Sequence, residues 1–323
     1  YNDAELREEL LAQGAVPGGF RGGCDAETVL WAFATWGTGA FERMRGMFAL
    51  AVYDTREHEL HLARDPLGVK PLYYHVGSHE VSFASEPRAL LAHPGIEALP
   101  NLPVASAYLS TLRTTLGRQT LFHGVNVLQP GERARFRART GEFTVESFYR
   151  PAPVDADRMG LEQAAELVRE VVGDSIERHL RADVPVSALL SGGLDSTIVC
   201  SQARERLRQL NTWCASGATA SEEDGDLEFA RLAAAELGAQ HREVLVDGGR
   251  FVRDWAWMIE SNGMPLSTPN EVAIHAVARD MRDAGFVVTL SGEGADELFG
   301  GYELAMQSAA AFCESQMDKR TGG

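Results

Sequence analysis

Lysine is nearly absent from this sequence, and cysteine is scarce. Only Lys70 and Lys319 stand among the 30 basic residues, so a site for a phosphate anion has to rely on other groups, such as backbone N–H donors. The four cysteines, at positions 24, 200, 214 and 313, show no CxxC spacing and no paired histidines. Neither a zinc site nor a disulfide framework is therefore indicated, and a reducing compartment is expected.

The sequence also has no long apolar run and no excess of positive charge. No stretch approaches the roughly 18 to 20 apolar residues that cross a bilayer, and the first residues, YNDAELREELL, lack the layout of a signal peptide. The formal net charge of -16 repels nucleic acid and anionic membranes. We therefore expect a cytoplasmic protein with neither kind of partner. Since the chain begins at Tyr1 and stops soon after an unfinished helical segment, we expect both ends to be cuts through a longer protein.

The first half, residues 1–150, is rich in short strand signals. Pairs of apolar runs separated by polar or Pro-Gly turns predict three hairpins. These hairpins join residues 47–53 to 60–63, residues 72–76 to 81–84, and residues 125–128 to 133–136. An antiparallel layered domain with a few helices is expected, and residues 151–160 are expected to be a linker.

From Leu161 the pattern changes to helices that alternate with short apolar strands. Residues 161–176 place apolar side chains at helical spacing, and residues 184–190 form a continuous apolar run. Further strands are predicted at 212–216, 243–246 and 286–290, and further helices at 196–210, 227–237 and 271–284. Alternation of this kind indicates a parallel sheet covered by helices, here over residues 161–323.

The first loop, residues 191–196 with the sequence SGGLDS, lies between a predicted buried strand and a predicted helix. Backbone N–H groups and a helix N-terminus can converge there on an anion. Gly192 and Gly193 allow close approach of the backbone, and the serines at either end add hydroxyl donors. A Walker loop would need GxxxxGK[ST] and a dinucleotide fingerprint would need GxGxxG after a strand, and both are absent. An ordinary tight turn is the competing interpretation.

The second loop, residues 291–297 with the sequence SGEGADE, also follows an apolar strand. Ligands of open parallel sheets bind beyond the carboxyl ends of strands, so both loops are expected to face one crevice. Asp195 in the first loop and Asp296 in the second can then hold a hard cation such as Mg²⁺ against a bound triphosphate. Glu293 is placed to handle a proton on an attacking amine. A solvated helix start is the competing interpretation, since acidic residues favour helix N-termini.

Five strings along the chain together resemble the glutamine-dependent asparagine synthetases. VPVSALLSGGLDST at 184–197 is similar to that family's ATP pyrophosphatase motif, and LSGEGADELFGGY at 290–302 is similar to its second signature. GMFALAVYD at 46–54, ARDPLGVKPLYY at 63–74 and FASEPRALL at 83–91 resemble its glutaminase domain. The resemblance implies an incomplete N-terminal-nucleophile sandwich of two antiparallel sheets. A doubly wound, parallel-sheet ATP pyrophosphatase domain without its C-terminus is implied to follow.

The resemblance also implies a two-site reaction. A glutaminase site releases ammonia from glutamine, and ATP with Mg²⁺ activates aspartate as an acyl-adenylate, with loss of pyrophosphate. Ammonia then displaces AMP to give asparagine. The implied catalytic residue is Glu293, the implied glutamine-binding residue is Asp25, and the implied Mg²⁺ ligands are Asp195 and Asp296. The residues implied to bind ATP are Leu190, Ser191, Gly192, Gly193, Asp195, Ser196, Ser216, Ser291 and Gly292. A homodimer is one assembly that the resemblance allows for the full-length parent.

The sequence departs from the family pattern in places that bear on this reaction. The family's glutaminase nucleophile is an N-terminal cysteine, whereas position 1 here is tyrosine, and Cys24 is interpreted as structural. The family's Asn-Gly-Glu segment and its glutamine-gripping arginine are missing. The family also has a pyrophosphate-binding lysine well beyond Tyr302, and Lys319 lies too early to replace it. This chain alone is therefore not expected to complete the reaction.

Two alternatives to an asparagine synthetase stay open on the sequence. Relatives that close β-lactam rings or form other amides reuse the ATP site without a working glutaminase, and the acceptor carboxylate is not identified by residues 263–270. The other alternative is a nucleotide-binding remnant without activity. It is less favoured, because an incomplete first domain would expose sheet edges and apolar surface.

Overall fold

The computed structural model describes residues 1–151, 159–217 and 225–302. The chain divides into two compact units, of which unit 1 comprises Tyr1–Ala164 and Val252–Val272, and unit 2 comprises Ala165–Phe251 and Ala273–Gly323. Residues 152–158 of the expected linker lie outside the described residues, so the domain limits 1–150, 151–160 and 161–323 stay a prediction. Among the described residues, no helix combines the length and the apolar character needed to cross a membrane.

Unit 1 contains two antiparallel sheets and several short helices. Its strands are β1 (Ala49–Asp54), β2 (Glu59–Arg64), β3 (Tyr73–Val76), β4 (Val81–Ala84), β5 (Thr115–Leu116), β6 (Gln119–Thr120), β7 (Val125–Val127), β8 (Glu132–Arg137) and β9 (Glu142–Ser147). Its helices are α1 (Asp3–Ala12), α2 (Asp25–Trp36), α3 (Ala40–Arg43), α4 (Pro87–Leu91) and α5 (Leu102–Thr111). The strand orders are β1-β2-β8-β9 and β4-β3-β7-β6-β5. The antiparallel sheets expected from the strand signals are thus confirmed.

Two of the three predicted hairpins are confirmed, and the third is wrong. β1 pairs with β2, and β3 pairs with β4, in the antiparallel sense. β7 pairs instead with β3 and β6, while β8 pairs with β2 and β9 in the other sheet. The Pro130-Gly131 turn therefore carries the chain from one sheet to the other. Gly131 adopts a φ of 66° and donates its N–H to Asp65 O, which directs β8 alongside β2 and away from β7.

One hydrophobic cluster of unit 1 contains side chains from both sheets. Leu62 on β2 and Ala134 on β8 are buried together with Tyr74 on β3. The ring centroids of Tyr74 and Phe143 on β9 lie 5.1 Å apart, with the ring planes tilted by 37°. On β8, buried and partly buried residues alternate along the strand, as expected when one face of a sheet packs on a core.

The charged stretch at 64–70 is a structural turn. The carboxylate of Asp65, which is 1% exposed, accepts N–H groups from four residues, namely Phe48, Leu67, Val69 and Lys70. The guanidinium of Arg64 donates to three carbonyl oxygens, those of Gly68, Lys70 and Leu128. A buried carboxylate and a half-buried guanidinium are tolerated here because backbone groups satisfy them.

Unit 2 is organised around one parallel sheet. The strands are β10 (Val186–Leu189), β11 (Asn211–Gly217), β12 (Gln240–Val246) and β13 (Val288–Leu290). From Leu161 onward the helices are α6 (Leu161–His179), α7 (Leu194–Arg206), α8 (Gly225–Glu236), α9 (Gly248–Asn262), α10 (Asn270–Asp283) and α11 (Ala295–Phe299). Residues 161–164 of α6, 252–262 of α9 and 270–272 of α10 belong to unit 1. The predicted alternation of strands and helices and the parallel sheet are confirmed, while α9 was not predicted.

The strand order of this sheet is β12-β11-β10-β13, and each neighbouring pair is parallel. The chain runs outward from β10 to β11 and β12, then returns to the opposite side of β10 as β13. Apolar residues from the two faces of the strands join two separate clusters, one around Leu190 and Cys200 and one around Trp213 and Val277. In open α/β sheets, ligand crevices form where the strand order reverses in this way, and here the reversal falls between β10 and β13.

Candidate functional site

The two predicted loops follow adjacent strands of the parallel sheet. The first loop begins after β10, and the second begins after β13, and these strands are joined by the pairing of Ala188 with Leu290. Both loops therefore leave the same edge of the sheet at the point where strand order reverses. This is the position at which open α/β sheets bind ligands.

Hydrogen bonds among its own residues shape the first loop. The Ser196 hydroxyl donates to Gly193 O at 3.1 Å, lies 3.0 Å from the Ser191 hydroxyl and accepts the Ser191 N–H at 3.3 Å. The Thr197 hydroxyl donates to the same Gly193 carbonyl at 2.8 Å. Ser196 is 7% exposed, whereas Ser191 and Gly193 are exposed. Ser196 thus organises the loop from inside, and Ser191 and Gly193 form its open side.

Gly192 lies where no larger residue fits. Its φ is +85°, and a Cβ atom there would lie 2.5 Å from the Ala230 amide nitrogen and 2.8 Å from the Phe229 carbonyl carbon of α8. A side chain would therefore combine backbone strain with a clash against main-chain atoms. The close contact explains why this position of the loop is glycine.

The second loop lies directly against the first. A Cβ atom on Gly292 would lie 3.0 Å from the Ser196 amide nitrogen and 3.1 Å from the Asp195 Cβ. Gly292 has no unusual φ, so proximity alone explains the glycine at this position. The structure therefore brings together the first turn of α7 and the start of the second loop, as expected from the two motifs.

The acidic residues of the two loops sit at the starts of helices. Asp195 is in the first turn of α7, and Asp296 is in the first turn of α11, where the Gly300 and Gly301 amides donate to its main-chain oxygen at 2.9 and 3.0 Å. The carboxylate of Asp296 occupies the space that a side chain at Gly301 would need. Glu293 is exposed.

Tyr302 contributes a further polar group beside the second loop. Its hydroxyl donates to Glu297 Oε1 at 2.9 Å. This hydrogen bond, together with the negative charges of Asp296 and Glu293, raises the pKa of Tyr302 above its usual value. Glu293, Asp296 and Glu297 therefore form a local concentration of negative charge at this loop.

The donor set at the loops fits a hard cation more closely than a soft one. Asp195 and Asp296 offer carboxylate oxygens, which Mg²⁺ prefers. In residues 1–151, 159–217 and 225–302, no three or more His, Cys, Asp and Glu side chains cluster tightly enough to hold a metal ion. A Mg²⁺ ion here would accordingly need oxygens from a phosphate ligand and from water, which is its usual mode of binding in phosphate sites.

The remaining predicted site residues occupy different places. Leu190 is fully buried beneath the first loop, and its N–H donates to Trp213 O. Ser216 lies near the carboxyl end of β11, the strand beside β10, and is partly exposed. Ser291, also partly exposed, is the first residue after β13.

Asp25 belongs to unit 1 and is the first residue of α2. The side chain is exposed, and the Cys24 thiol points to its Oδ1 at 3.7 Å. Cys24 is a free, exposed thiol at the N-cap of this helix, and it makes no side-chain capping hydrogen bond. Asp25 is thus the first residue inside α2 and not its N-cap, and its side chain is exposed to solvent.

Sequence reasoning missed the contribution of α8 to the first loop. Phe229 and Ala230 provide the main-chain surface against which Gly192 packs. Ala230 is fully buried, but an alanine in an amphipathic helix has no feature that marks a contact with a distant loop. The positive φ and the confined space at Gly192 are the only local signals, and both become visible only in three dimensions.

Comparison with known proteins gives matches over nearly the whole chain. The family model of the glutamine amidotransferase domain matches residues 1–149, and the family model of asparagine synthase matches residues 167–319. The chain is 36% identical over 320 residues to a putative glutamine-hydrolysing asparagine synthetase of Mycobacterium tuberculosis H37Rv, covering 94% of this chain and 46% of that protein. Identity to asparagine synthetase 1 of Bacillus subtilis is 32% over 311 residues, covering 94% and 46%, respectively. Identity to asparagine synthetase B of Escherichia coli is 30% over 321 residues, which covers 94% of this chain and 50% of that protein. The chain thus spans about half the length of these curated relatives.

Proposed function

Since this chain belongs to the glutamine-dependent asparagine synthetase family, we propose that it carries the ATP site of a ligase that forms the amide of asparagine. In this reaction a carboxylate oxygen of aspartate attacks the α-phosphorus of ATP, and pyrophosphate leaves. Ammonia from glutamine then attacks the acyl carbon, and AMP leaves. The observation that carries the proposal is the contact of Gly292 with Asp195 and Ser196, because it unites the two motif loops at the crevice edge.

The first loop binds the pyrophosphate end of ATP. The Gly193 N–H and the Ser191 hydroxyl, which bond to each other at 3.4 Å, can turn to phosphate oxygens, and the start of α7 adds further donors without any lysine. Ser196 contributes indirectly, because its hydroxyl is committed to Gly193 O. Ser216, Ser291 and Gly292 would line the rest of the nucleotide, and the fully buried Leu190 would support the loop from beneath.

Asp195 and Asp296 are the residues that would hold Mg²⁺. The ion would neutralise charge on the phosphate oxygens and so favour departure of pyrophosphate. It would also offset the repulsion between the nucleotide and the carboxylates of the second loop.

Glu293 is placed to accept the proton that ammonia loses when it attacks the acyl-adenylate. It is exposed and lies in the same loop as Gly292 and Asp296, so it can reach solvent and ligand alike. Proton transfer to a positioned carboxylate is general base catalysis.

Residues 1–150 form the glutaminase domain of this proposal. Their two antiparallel sheets would pack face to face as a sandwich, and the shared cluster around Tyr74 and Phe143 supports this arrangement. Asp25, with its accessible carboxylate at the start of α2, would bind the amino group of glutamine. Assembly of the full-length protein as a homodimer completes the proposal.

Exchange of labelled pyrophosphate into ATP tests this function. The full-length protein is incubated with ATP, Mg²⁺, labelled pyrophosphate and one of several carboxylates, with a reaction lacking carboxylate as the control. We expect label in ATP only with aspartate, and loss of exchange but not of glutamine hydrolysis in Asp195→Asn. Release of ADP and phosphate would refute adenylation, and exchange with another carboxylate alone would refute aspartate as substrate.

A further inference from the structure

A bidentate ion pair joins α8 to the parallel sheet. Arg231 Nε donates to Glu243 Oε1 at 2.6 Å, and Arg231 Nη2 donates to Glu243 Oε2 at 2.8 Å. Glu243 lies on β12, in register with Cys214 of β11. The paired geometry fixes both the distance and the direction between the two side chains, because a planar guanidinium matches a planar carboxylate.

The ion pair lies next to the contact between α8 and the first loop. Arg231 directly follows Ala230, whose amide nitrogen is the nearest atom to the Cβ position of Gly192. A shift of α8 along its axis would therefore be transmitted at once to the phosphate-binding backbone. Because Gly192 has no Cβ, its backbone packs directly against the main chain of α8, and close-packed groups of this kind move together.

Apolar packing alone does not define the position of α8 along its axis. The helix presents small side chains to the sheet, among them the buried Ala230 and Ala234. Such side chains hold the helix at a close distance but interlock less than large ones. The directional Arg231–Glu243 pair supplies the missing restraint.

The pair is too exposed to add much to folding stability. The side chain of Arg231 is 60% exposed and that of Glu243 is 30% exposed. Exposed ion pairs usually contribute little to folding, because water screens the charges and the side chains lose freedom. The hydrogen bond from Arg231 lowers the pKa of Glu243, so the pair stays ionised at neutral pH. Its main consequence should therefore be geometric.

The geometry points to Arg231 and Glu243 as positioning residues that set the shape of the first loop through Gly192. Neither residue needs to touch the ligand for this role. The effect of the pair on ATP rests on the proposed function, whereas its effect on the loop does not. The two consequences can accordingly be measured separately.

The experiment compares Arg231→Gln, Glu243→Gln and the double variant with the wild type, all in the full-length protein. Arg178→Gln is the matched control, since Arg178 also pairs with a carboxylate in unit 2, that of Asp174, but lies on α6. Three quantities are measured: amide hydrogen exchange of the peptide spanning residues 190–197 without ligand, the Kd for Mg²⁺-ATP, and the thermal unfolding midpoint.

We expect faster exchange in the loop peptide and about tenfold weaker ATP binding in both single variants, with the midpoint within a few degrees of wild type. The double variant should be no worse than either single one, because both remove the same restraint. A simple field effect predicts the opposite for Glu243→Gln, since losing a negative charge would strengthen ATP binding.

Unchanged loop exchange in Arg231→Gln would overturn the positioning role, whatever happens to ATP. Stronger ATP binding in Glu243→Gln would overturn it in favour of a field effect. A large drop in the unfolding midpoint with exchange raised equally throughout unit 2 would show a purely structural pair and overturn it too. If the wild type failed to bind ATP, the proposed function would fall, but the exchange comparison would still decide the positioning role.

Discussion

Gly292 and Ser196 belong to loops far apart in the sequence, yet a Cβ atom on Gly292 would lie 3.0 Å from the Ser196 amide nitrogen. This approach joins the loop after β13 to the first turn of the helix after β10. The two loops therefore form one surface, and a substitution in either loop should displace the other. The first two predictions follow from close contacts of this kind.

Gly292→Ala should impair ATP-dependent activity without unfolding the protein. The added methyl group meets Asp195 and Ser196 within 3.1 Å, so the loops must separate by a few tenths of an ångström. We expect about a tenfold loss of pyrophosphate exchange, because small misplacement at a reacting centre is costly. Gly248→Ala, where the methyl group meets nothing within 4 Å, is the control and should retain full exchange. Equal activity of the two variants would contradict the proposed role of the loop contact.

Gly192→Ala should be more damaging than a glycine substitution that introduces strain alone. At Gly192 the methyl group adds a clash with the Ala230 amide to the strain of a φ of +85°, and we expect a loss of about 3 kcal/mol. Gly238→Ala is the matched control, since Gly238 has a φ of +59° and open space around it. That variant should lose only about 1 kcal/mol and keep its ATP affinity. The free energies come from urea unfolding, and similar losses in both variants would show that the α8 contact is unimportant.

Glu293→Gln should separate the two chemical steps. The proposed proton acceptor acts only after adenylation, so pyrophosphate exchange should persist while asparagine formation falls about 100-fold. Asp296→Asn should reduce both, because the proposed Mg²⁺ ligand serves the first step. Glu297→Gln is the control, since Glu297 bonds Tyr302 and has no assigned catalytic role. Parallel measurement of exchange and asparagine yield decides the matter, and equal loss of both in Glu293→Gln would refute its assignment to amide formation.

The stability of the protein should fall at acidic pH, partly because of His61. This side chain is 7% exposed on β2 and packs against Phe33, and burial lowers its pKa below the ordinary value of 6.5, although the nearby Glu59 opposes the shift. Between the two pKa values the unfolded chain binds more protons, so this contribution to stability is complete above about pH 6.5 and declines below it. The urea midpoint should be higher at about pH 7.5 than at about pH 5.5. This difference should be smaller in His61→Gln than in the exposed control His79→Gln. An unchanged difference in His61→Gln would exclude this histidine as a source.

The strands and helices around the candidate site were largely predictable, because the spacing of their apolar residues follows from which positions are buried. The continuous run ending at Leu190 predicts a buried strand, and β10 ends at Leu189. The glycine and acidic residues that follow it predict a strand-to-helix loop, and α7 begins at Leu194. Helix α9 was overlooked, although residues 248–262 place apolar side chains at helical spacing.

Predictions that depended on pairing were less secure. The apolar runs around Pro130 and Gly131 suggested one hairpin, but β7 and β8 find their partners in different sheets. A tight turn between two strands does not determine whether those strands pair with each other. The hydrogen bond from Gly131 N–H to Asp65 O, which redirects the chain, joins residues that are distant in sequence.

The sequence by itself determined the two kinds of sheet, the loops that follow β10 and β13, and the residue types suited to phosphate and Mg²⁺. These features are local, because periodicity and turn chemistry act over a few neighbouring residues. Only the tertiary structure decided that β13 lies beside β10, that Ser196 faces into its loop, and that α8 presses on Gly192. Each of these depends on which distant backbone groups come together, and that outcome is set by the packing of the whole unit.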